Sequence, residues 1–179
     1  MGFNLDDFKS HFETGARSYL FYVKPVIPRA LNYTSEATYL VKSTSLPAST
    51  IEEIITQWQG ADYKIAGKRT FAPWAVTFIV DRKADIQKYF LNWMNLILDP
   101  TTNIHGMPSE YFQTQEVWLL GNSGQPIIKY QLKYAWPQEV GAVTLDYTNN
   151  DLAQFDVNFS YQYHVADTAT YSISQSFSR

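Results

Sequence analysis

From Gln154 to Val165 every second residue is large and apolar. Phe155, Val157, Phe159, Tyr161, Tyr163 and Val165 alternate without a break with Gln154, Asp156, Asn158, Ser160, Gln162 and His164. Side chains leave a β-strand on opposite faces with a period of two, whereas a helix would scatter this set around its axis. A chain carrying such a run has to supply a sheet with one face buried and one face polar. Two further runs make the same demand: Trp74, Val76, Phe78 and Val80, and then Tyr130, Leu132, Tyr134 and Trp136 opposed by Lys129, Gln131, Lys133 and Ala135.

The remaining strands follow from β-rich segments between turn signals. They are Tyr19 to Lys24, Thr38 to Leu46, Ile51 to Gln59, Tyr63 to Ala66, Phe112 to Leu120 and Val143 to Tyr147. Gly60-Ala61-Asp62 turns the second pair into a long hairpin, Gly121-Asn122-Ser123-Gly124 closes another, and Asn149-Asn150-Asp151 leads into the last run. One segment changes period. Ile86, Tyr89, Phe90, Trp93 and Ile97 form a helical stripe, with Asp81 as N-cap and Asp99-Pro100 as the stop, so one amphipathic helix is expected over about 82–98. Leu5, Phe8 and Phe12 predict a short N-terminal helix ending near Gly15. The expected fold is mainly β: an antiparallel β-sandwich or barrel-like domain over 1–165. A Ser/Thr-rich C-terminal extension, 166–179, follows it, expected to be mobile alone and ordered on assembly.

Composition narrows function more by exclusion than by signal. Fourteen Lys and Arg against 17 Asp and Glu give a net charge of −3, with no basic cluster of the kind that tight phosphate binding needs. The absence of cysteine removes disulfides, thiol catalysis and Cys-based zinc sites. The first twenty residues lack a signal-peptide core, and no apolar stretch approaches the roughly 20 residues of a membrane helix, so a soluble chain without membrane association is expected. His11, His105 and His164 form no metal-ligand spacing, and each reads as a surface or turn residue. Glu52 and Glu53 point to opposite faces of a strand, and Gly67-Lys68-Arg69 lacks the glycine spacing of a phosphate loop. No catalytic, metal or cofactor site is expected. The Trp and Tyr set could serve as a carbohydrate-stacking platform, but most of it falls on faces that a β core requires.

Four stretches, taken in order, resemble the tail tube proteins of T4-type contractile phages. They are Leu46-Pro47-Ala48; Ile65-Ala66-Gly67-Lys68-Arg69-Thr70-Phe71 with Trp74-Ala75-Val76-Thr77; Gly106-Met107-Pro108-Ser109-Glu110-Tyr111; and Trp136-Pro137-Gln138-Glu139-Val140-Gly141 running through Leu145-Asp146-Tyr147. The single helix falls between the second and third, as in that family. The stretch from Pro25 to Glu36 departs from the pattern with a proline-rich content of its own, and Ala166 to Arg179 has no counterpart in it.

The resemblance implies hexameric rings stacked into a tube inside a contractile sheath, with DNA leaving through the lumen. The implied partners are the chain itself and the sheath, baseplate and tail terminator proteins. The implied location is the virion tail, assembled in the host cytoplasm. Tail-like bacteriocins, extracellular contractile injection systems and type VI secretion tubes are the alternatives of the same fold; a ligand-binding β-barrel is the alternative of another class. On this reading Leu46, Pro47, Ile51, Ile54, Ile55 and Trp58 are the expected subunit interface, being too apolar for a solvated excursion. Glu53, Gln57, Gln154, Asp156 and Asn158 are the expected lumen positions, and Lys129 and Lys133 are expected to face outward or pair with a carboxylate.

Overall fold

The computed structural model describes residues 15–31, 35–148 and 150–167. The expected N-terminal helix, His11 and the extension from 168 onward lie outside them. The strands are β1 (Phe21–Lys24), β2 (Val41–Thr44), β3 (Ser49–Trp58), β4 (Ala61–Phe71), β5 (Trp74–Ile79), β6 (Gln113–Leu120), β7 (Pro126–Val140), β8 (Gln154–Ser160) and β9 (Tyr163–Asp167). Helix α1 spans Asp85–Ile97, and α2 is the single turn Pro108–Tyr111. Seven strands form one antiparallel sheet in the order β1-β6-β7-β8-β5-β2, with β9 also paired to β7, while β3 and β4 pair only with each other. The path is open at both ends, so the sheet is not a closed barrel.

Strand β7 joins two half-sheets around one core. Its first half pairs with β6 and β9, and its second half pairs with β8. Between Leu132 and Ala135 it carries one residue more than the opposing stretch of β6, and Tyr134 sits there at φ 56°. Such a bulge bends the strand and shifts its parity. Ala135 is therefore fully buried and Tyr134 is exposed, the reverse of the alternation expected for this segment.

The long alternating run is corrected in the same way. It is two strands, interrupted at Tyr161 and Gln162. Phe155, Val157, Phe159 and Tyr161 enter the core, whereas Tyr163 and Val165 are exposed. His164, opposite the buried Leu132, turns inward in their place. β9 continues through Ala166 and Asp167 opposite Tyr130 and Lys129. Two other boundaries also move. Ser35–Leu40 is a 3-10 helix, so β2 starts only at Val41, and Val143 to Tyr147 forms no strand.

The core is aromatic and shared by both half-sheets and α1. Ile86, Phe90 and Trp93 of α1 pack beneath Phe78, Phe155 and Phe159, with Phe90 5.0 Å from Phe78 and Trp93 6.1 Å from Phe159 by ring centroid. Asp81 is not the N-cap, a place taken by Ala84 at φ 52°. It still satisfies the helix start, accepting the Ile86 N–H at 3.2 Å and the Lys83 N–H at 3.3 Å.

The Gly106-to-Tyr111 motif locks the other end of α1. Gly106 N–H donates to Ile97 O at 3.0 Å, the Trp93 indole donates to Tyr111 O at 3.0 Å, and Glu110 accepts the Met107 N–H at 3.4 Å. Gln115, fully buried, hydrogen-bonds both backbone groups of Val26, accepting at 2.8 Å and donating at 2.7 Å. Its amide thereby replaces a strand pairing where Pro25 and Pro28 supply no N–H.

Candidate functional site: an assembly interface

Among the described residues the β3–β4 hairpin gathers several exposed large apolar side chains on one two-stranded ribbon. It continues the β2–β5 pair past Leu46-Pro47-Ala48 on one side and Ala72-Pro73 on the other, held at the base by Trp74 Nε1 donating to Ser45 O (2.7 Å) and Ala72 N–H donating to Ala48 O (3.2 Å). Every residue of β3 is exposed. The turn is Gln59-Gly60, both with positive φ, so Ala61 and Asp62 already belong to β4 and the reversal sits one residue earlier than expected. Positive φ at both central residues gives the twist that a two-residue hairpin loop requires.

Register sorts the hairpin's side chains onto two unlike faces, because directly opposed residues share a face. Ile54 opposes Ile65, Thr56 opposes Tyr63, and Trp58 opposes Ala61. This gives one apolar face with Ile54 54%, Trp58 71%, Tyr63 65% and Ile65 47% exposed. The other face has Glu53, Ile55 and Gln57 opposite Ala66, Lys64 and Asp62, with a Lys64–Glu53 salt bridge of 2.9 Å.

The expected interface set is thus divided. Ile54 and Trp58 act together, Ile51 and Ile55 lie on the polar face, Leu46 is exposed at the base, and Pro47 is already buried within its own chain. Tyr63 and Ile65 complete the apolar face. They were legible as an alternation in β4, but only the register shows that they stand beside Ile54 and Trp58.

The expected lumen residues also separate. Gln154, Asp156 and Asn158 share the outer face of β8, opposite to the buried Phe155, Val157 and Phe159. There Gln154 accepts from Lys42 Nζ, Asp156 accepts the Thr77 hydroxyl at 2.7 Å, and Asn158 donates to Glu139 at 2.8 Å. Glu53 and Gln57 belong instead to the hairpin face that continues through Ser49 to Phe71, and Phe71 packs on Tyr161 and His164. Glu53 and Gln57 thus share the face on which Phe71 packs against Tyr161 and His164, whereas Gln154, Asp156 and Asn158 leave β8 on the side away from the core. Lys129 is paired with Glu116 at 3.0 Å and lies 5.1 Å from the Trp118 ring centroid.

His164 is the histidine whose surroundings differ most from the sequence expectation. Its ring stands 5.2 Å from Phe71 and 5.7 Å from Tyr130, and Nδ1 is 3.5 Å from the Tyr161 hydroxyl. Burial, assisted by the positive charge of Arg69, holds its pKa below the usual histidine value, and burial raises that of Tyr161. Asp146 is held below the usual carboxylate range by the backbone N–H and hydroxyl of Thr148. Among the described residues no group of three or more His, Asp or Glu could hold a metal ion, and no helix is long and apolar enough to cross a membrane.

Comparison with known proteins agrees with this architecture. The chain is 30% identical over 165 residues to the tail tube protein gp19 of Enterobacteria phage T4, covering 89% of this chain and 98% of that one. It is 26% identical over 145 residues to the tail tube protein of Serratia phage KSP90, covering 80% and 82%. A chain in the cryo-EM structure of the anti-feeding prophage baseplate superposes with a TM-score of 0.66 at 15% identity, covering 88% of this chain and 99% of that chain. A chain from the sheath/tube terminator of an extracellular contractile injection system gives 0.62 at 16% identity, covering 84% and 94%. The family profile described as phage tail tube protein matches residues 16–167, and the chain belongs to that family.

Proposed function

We propose that this chain is the structural subunit of a contractile phage tail tube, forming hexameric rings that stack around a lumen through which DNA is ejected. The observation that carries the reading is the β3–β4 hairpin, a ten-residue strand and its partner whose apolar side chains are exposed among the described residues. A contiguous apolar face on a projecting ribbon marks a protein–protein contact, and in a repeating assembly the occupant is a neighbouring copy. The open edges of the sheet, a hazard in a monomer, serve the same assembly. The anti-feeding prophage baseplate, which contains a chain of this fold, is sixfold symmetrised. The sheath, baseplate and tail terminator are the further partners. The subunit would assemble in the host cytoplasm and function in the virion tail, without catalysis or a cofactor.

The outer face of β8, with Gln154, Asp156 and Asn158, is the proposed lumen surface. It is polar and its groups are hydrogen-bonded, Lys42 to Gln154, Thr77 to Asp156 and Asn158 to Glu139. Such a wall neither neutralises phosphates nor holds the duplex. Glu53 and Gln57 join it only if the ribbon turns over between its base and its tip. The phage tail is favoured over other contractile machines because the 30% identity is to curated phage tubes, whereas the injection-system likenesses, at 15–16% identity, carry the fold alone.

The deciding experiment is the double variant Ile54→Ser/Trp58→Ser at high protein concentration. Circular dichroism and thermal unfolding are expected to match wild type, while electron micrographs show loss of tubes. Normal tube growth by the double variant would reject the hairpin as an assembly surface. Outright unfolding would assign both residues to the subunit's own core.

A further inference from the structure

The β3–β4 hairpin joins the body through two short connections. Between the Thr44–Val76 pair of the body and the Ser49–Phe71 pair of the hairpin, each connection carries a proline, Pro47 on one side and Pro73 on the other. A proline gives the ladder no N–H, so the two prolines mark a hinge where side-chain contacts, rather than continuous pairing, set the direction of the ribbon. Phe71, the last residue of β4, makes such contacts. Its ring packs on Tyr161 at 5.9 Å and meets His164 edge-on at 5.2 Å, measured between ring centroids.

His164 is the histidine in this contact. Among the described residues there are two histidines; His105 is exposed, whereas His164 is half-buried opposite Leu132. The groups around it are Arg69 and Phe71 from β4, Tyr130 and Leu132 from β7, and Tyr161 from the break between β8 and β9. Arg69, two residues before Phe71 and so on the same face of β4, brings a positive charge to bear on the ring. Farther out on that face Glu53 is already paired with Lys64 at 2.9 Å. The Tyr161 hydroxyl lies 3.5 Å from Nδ1 and can donate to it only while that nitrogen carries no proton. The neighbouring rings would favour an imidazolium over their faces, but burial and Arg69 oppose it, and the net effect holds the pKa below the usual histidine value.

We propose that His164 is a pH-sensitive pin at the hinge of the hairpin. Neutral, it accepts from Tyr161 and holds Phe71 against the body; protonated, beside the Arg69 guanidinium, it lets Phe71 go and the ribbon swings on its two prolines. Because the neutral ring belongs to the anchored state, anchoring is complete above the usual histidine pKa of about 6.5 and is lost as pH falls below it. The pin is a property of the single chain. Its effect on tubes rests on the hairpin's proposed role as an assembly arm, since a ribbon of fixed direction docks at lower entropic cost than a loose one.

The test follows hydrogen exchange in the dilute full-length subunit at about pH 7.5 and about pH 5.5, with each rate divided by the unfolded-chain rate at the same pH. Protection of the Ala72 amide, which donates to Ala48 O at 3.2 Å, and of the last residues of β4 is expected to fall about three- to tenfold at the lower pH, while that of β5 and β8 holds. His164→Gln should remove the difference. Arg69→Gln, at an exposed position, should shrink it without disturbing the fold. Equal protection at both pH values overturns the proposal, as does a drop that persists in His164→Gln or one that β5 and β8 share. Should His164→Gln fail to fold, Arg69→Gln decides, and an undiminished drop there overturns the pin. Tube growth followed by light scattering is expected to be slower at the lower pH in wild type and equal at both in His164→Gln. Loss of hinge protection with unchanged tube growth would reject the hairpin as the assembly arm and leave the pin standing; unchanged protection rejects the pin whatever the tubes do.

Discussion

At the scale of single residues, the sharpest constraint is Gly106. A Cβ built there would lie 2.1 Å from the backbone carbonyl oxygen of Leu96, a contact that only movement of the helix end or the loop can relieve. Gly106→Ala is therefore expected to cost about 3 kcal/mol or more in urea unfolding, large for the addition of one methyl group. His164 gives a second residue-scale expectation. Its pKa is lowered in the fold, so the unfolded chain binds the proton more readily, and the neutral ring's contribution is complete above the unfolded value of about 6.5. It is lost as pH falls through that value toward the lower folded pKa. Thermal unfolding between pH 7 and 5 should show this slope, and His164→Gln should flatten it. A separate loss below pH about 4 belongs to carboxylates such as Asp81, which burial pushes up but the N–H groups of Ile86, Asp85 and Lys83 pull down further.

At the scale of elements, Gln115 acts as a clamp between β6 and the segment following β1. Gln115→Leu keeps the bulk but leaves both the N–H and the carbonyl of Val26 unpaired. An unsatisfied buried backbone group costs about 1–3 kcal/mol, so the variant should lose about 3 kcal/mol in denaturant unfolding, and the amide of Val26 should exchange faster. The hairpin behaves in the opposite way. Ile54→Ser/Trp58→Ser removes more apolar surface than Gln115→Leu disturbs, yet the isolated subunit's unfolding midpoint should stay nearly unchanged, because those side chains are exposed.

At the scale of the whole molecule, a charge on the proposed lumen face would be repeated by every subunit of the proposed tube. Asp156→Lys would place an ammonium on the proposed lumen face where Thr77 now hydrogen-bonds a carboxylate. Phage carrying it should assemble tubes but eject DNA more slowly, most clearly at low ionic strength, where screening is weakest. Glu53→Lys, tested singly, would face Lys64 instead of pairing with it, so Glu53→Gln is the quieter control. A stall with Asp156→Lys alone would place the lumen on the β8 face; a stall with Glu53→Lys as well would bring the hairpin's polar face into the same channel. Ejection at the normal rate by both variants at low salt would remove the lumen assignment.

What the sequence by itself determined was whatever depends on neighbours along the chain. Phe155 to Phe159 and Trp74 to Phe78 declared their buried faces through period two, Ile86 to Trp93 declared a helix through its stripe, and the ordered motifs indicated the family. The tertiary structure decided what depends on residues far apart in sequence. The bulge at Tyr134, invisible to an alternation count, exchanged its place in the core with Ala135, because β7 must bend to serve two half-sheets. The break at Tyr161 and Gln162 turned His164 inward for the same reason, as β9 leaves β8's course to pair with the first half of β7. In the hairpin the sequence offered apolar residues without faces. The register of β3 against β4 grouped Ile54 and Trp58 with Tyr63 and Ile65, and set Glu53 on the side opposite them, because a strand's partner fixes which side chains meet.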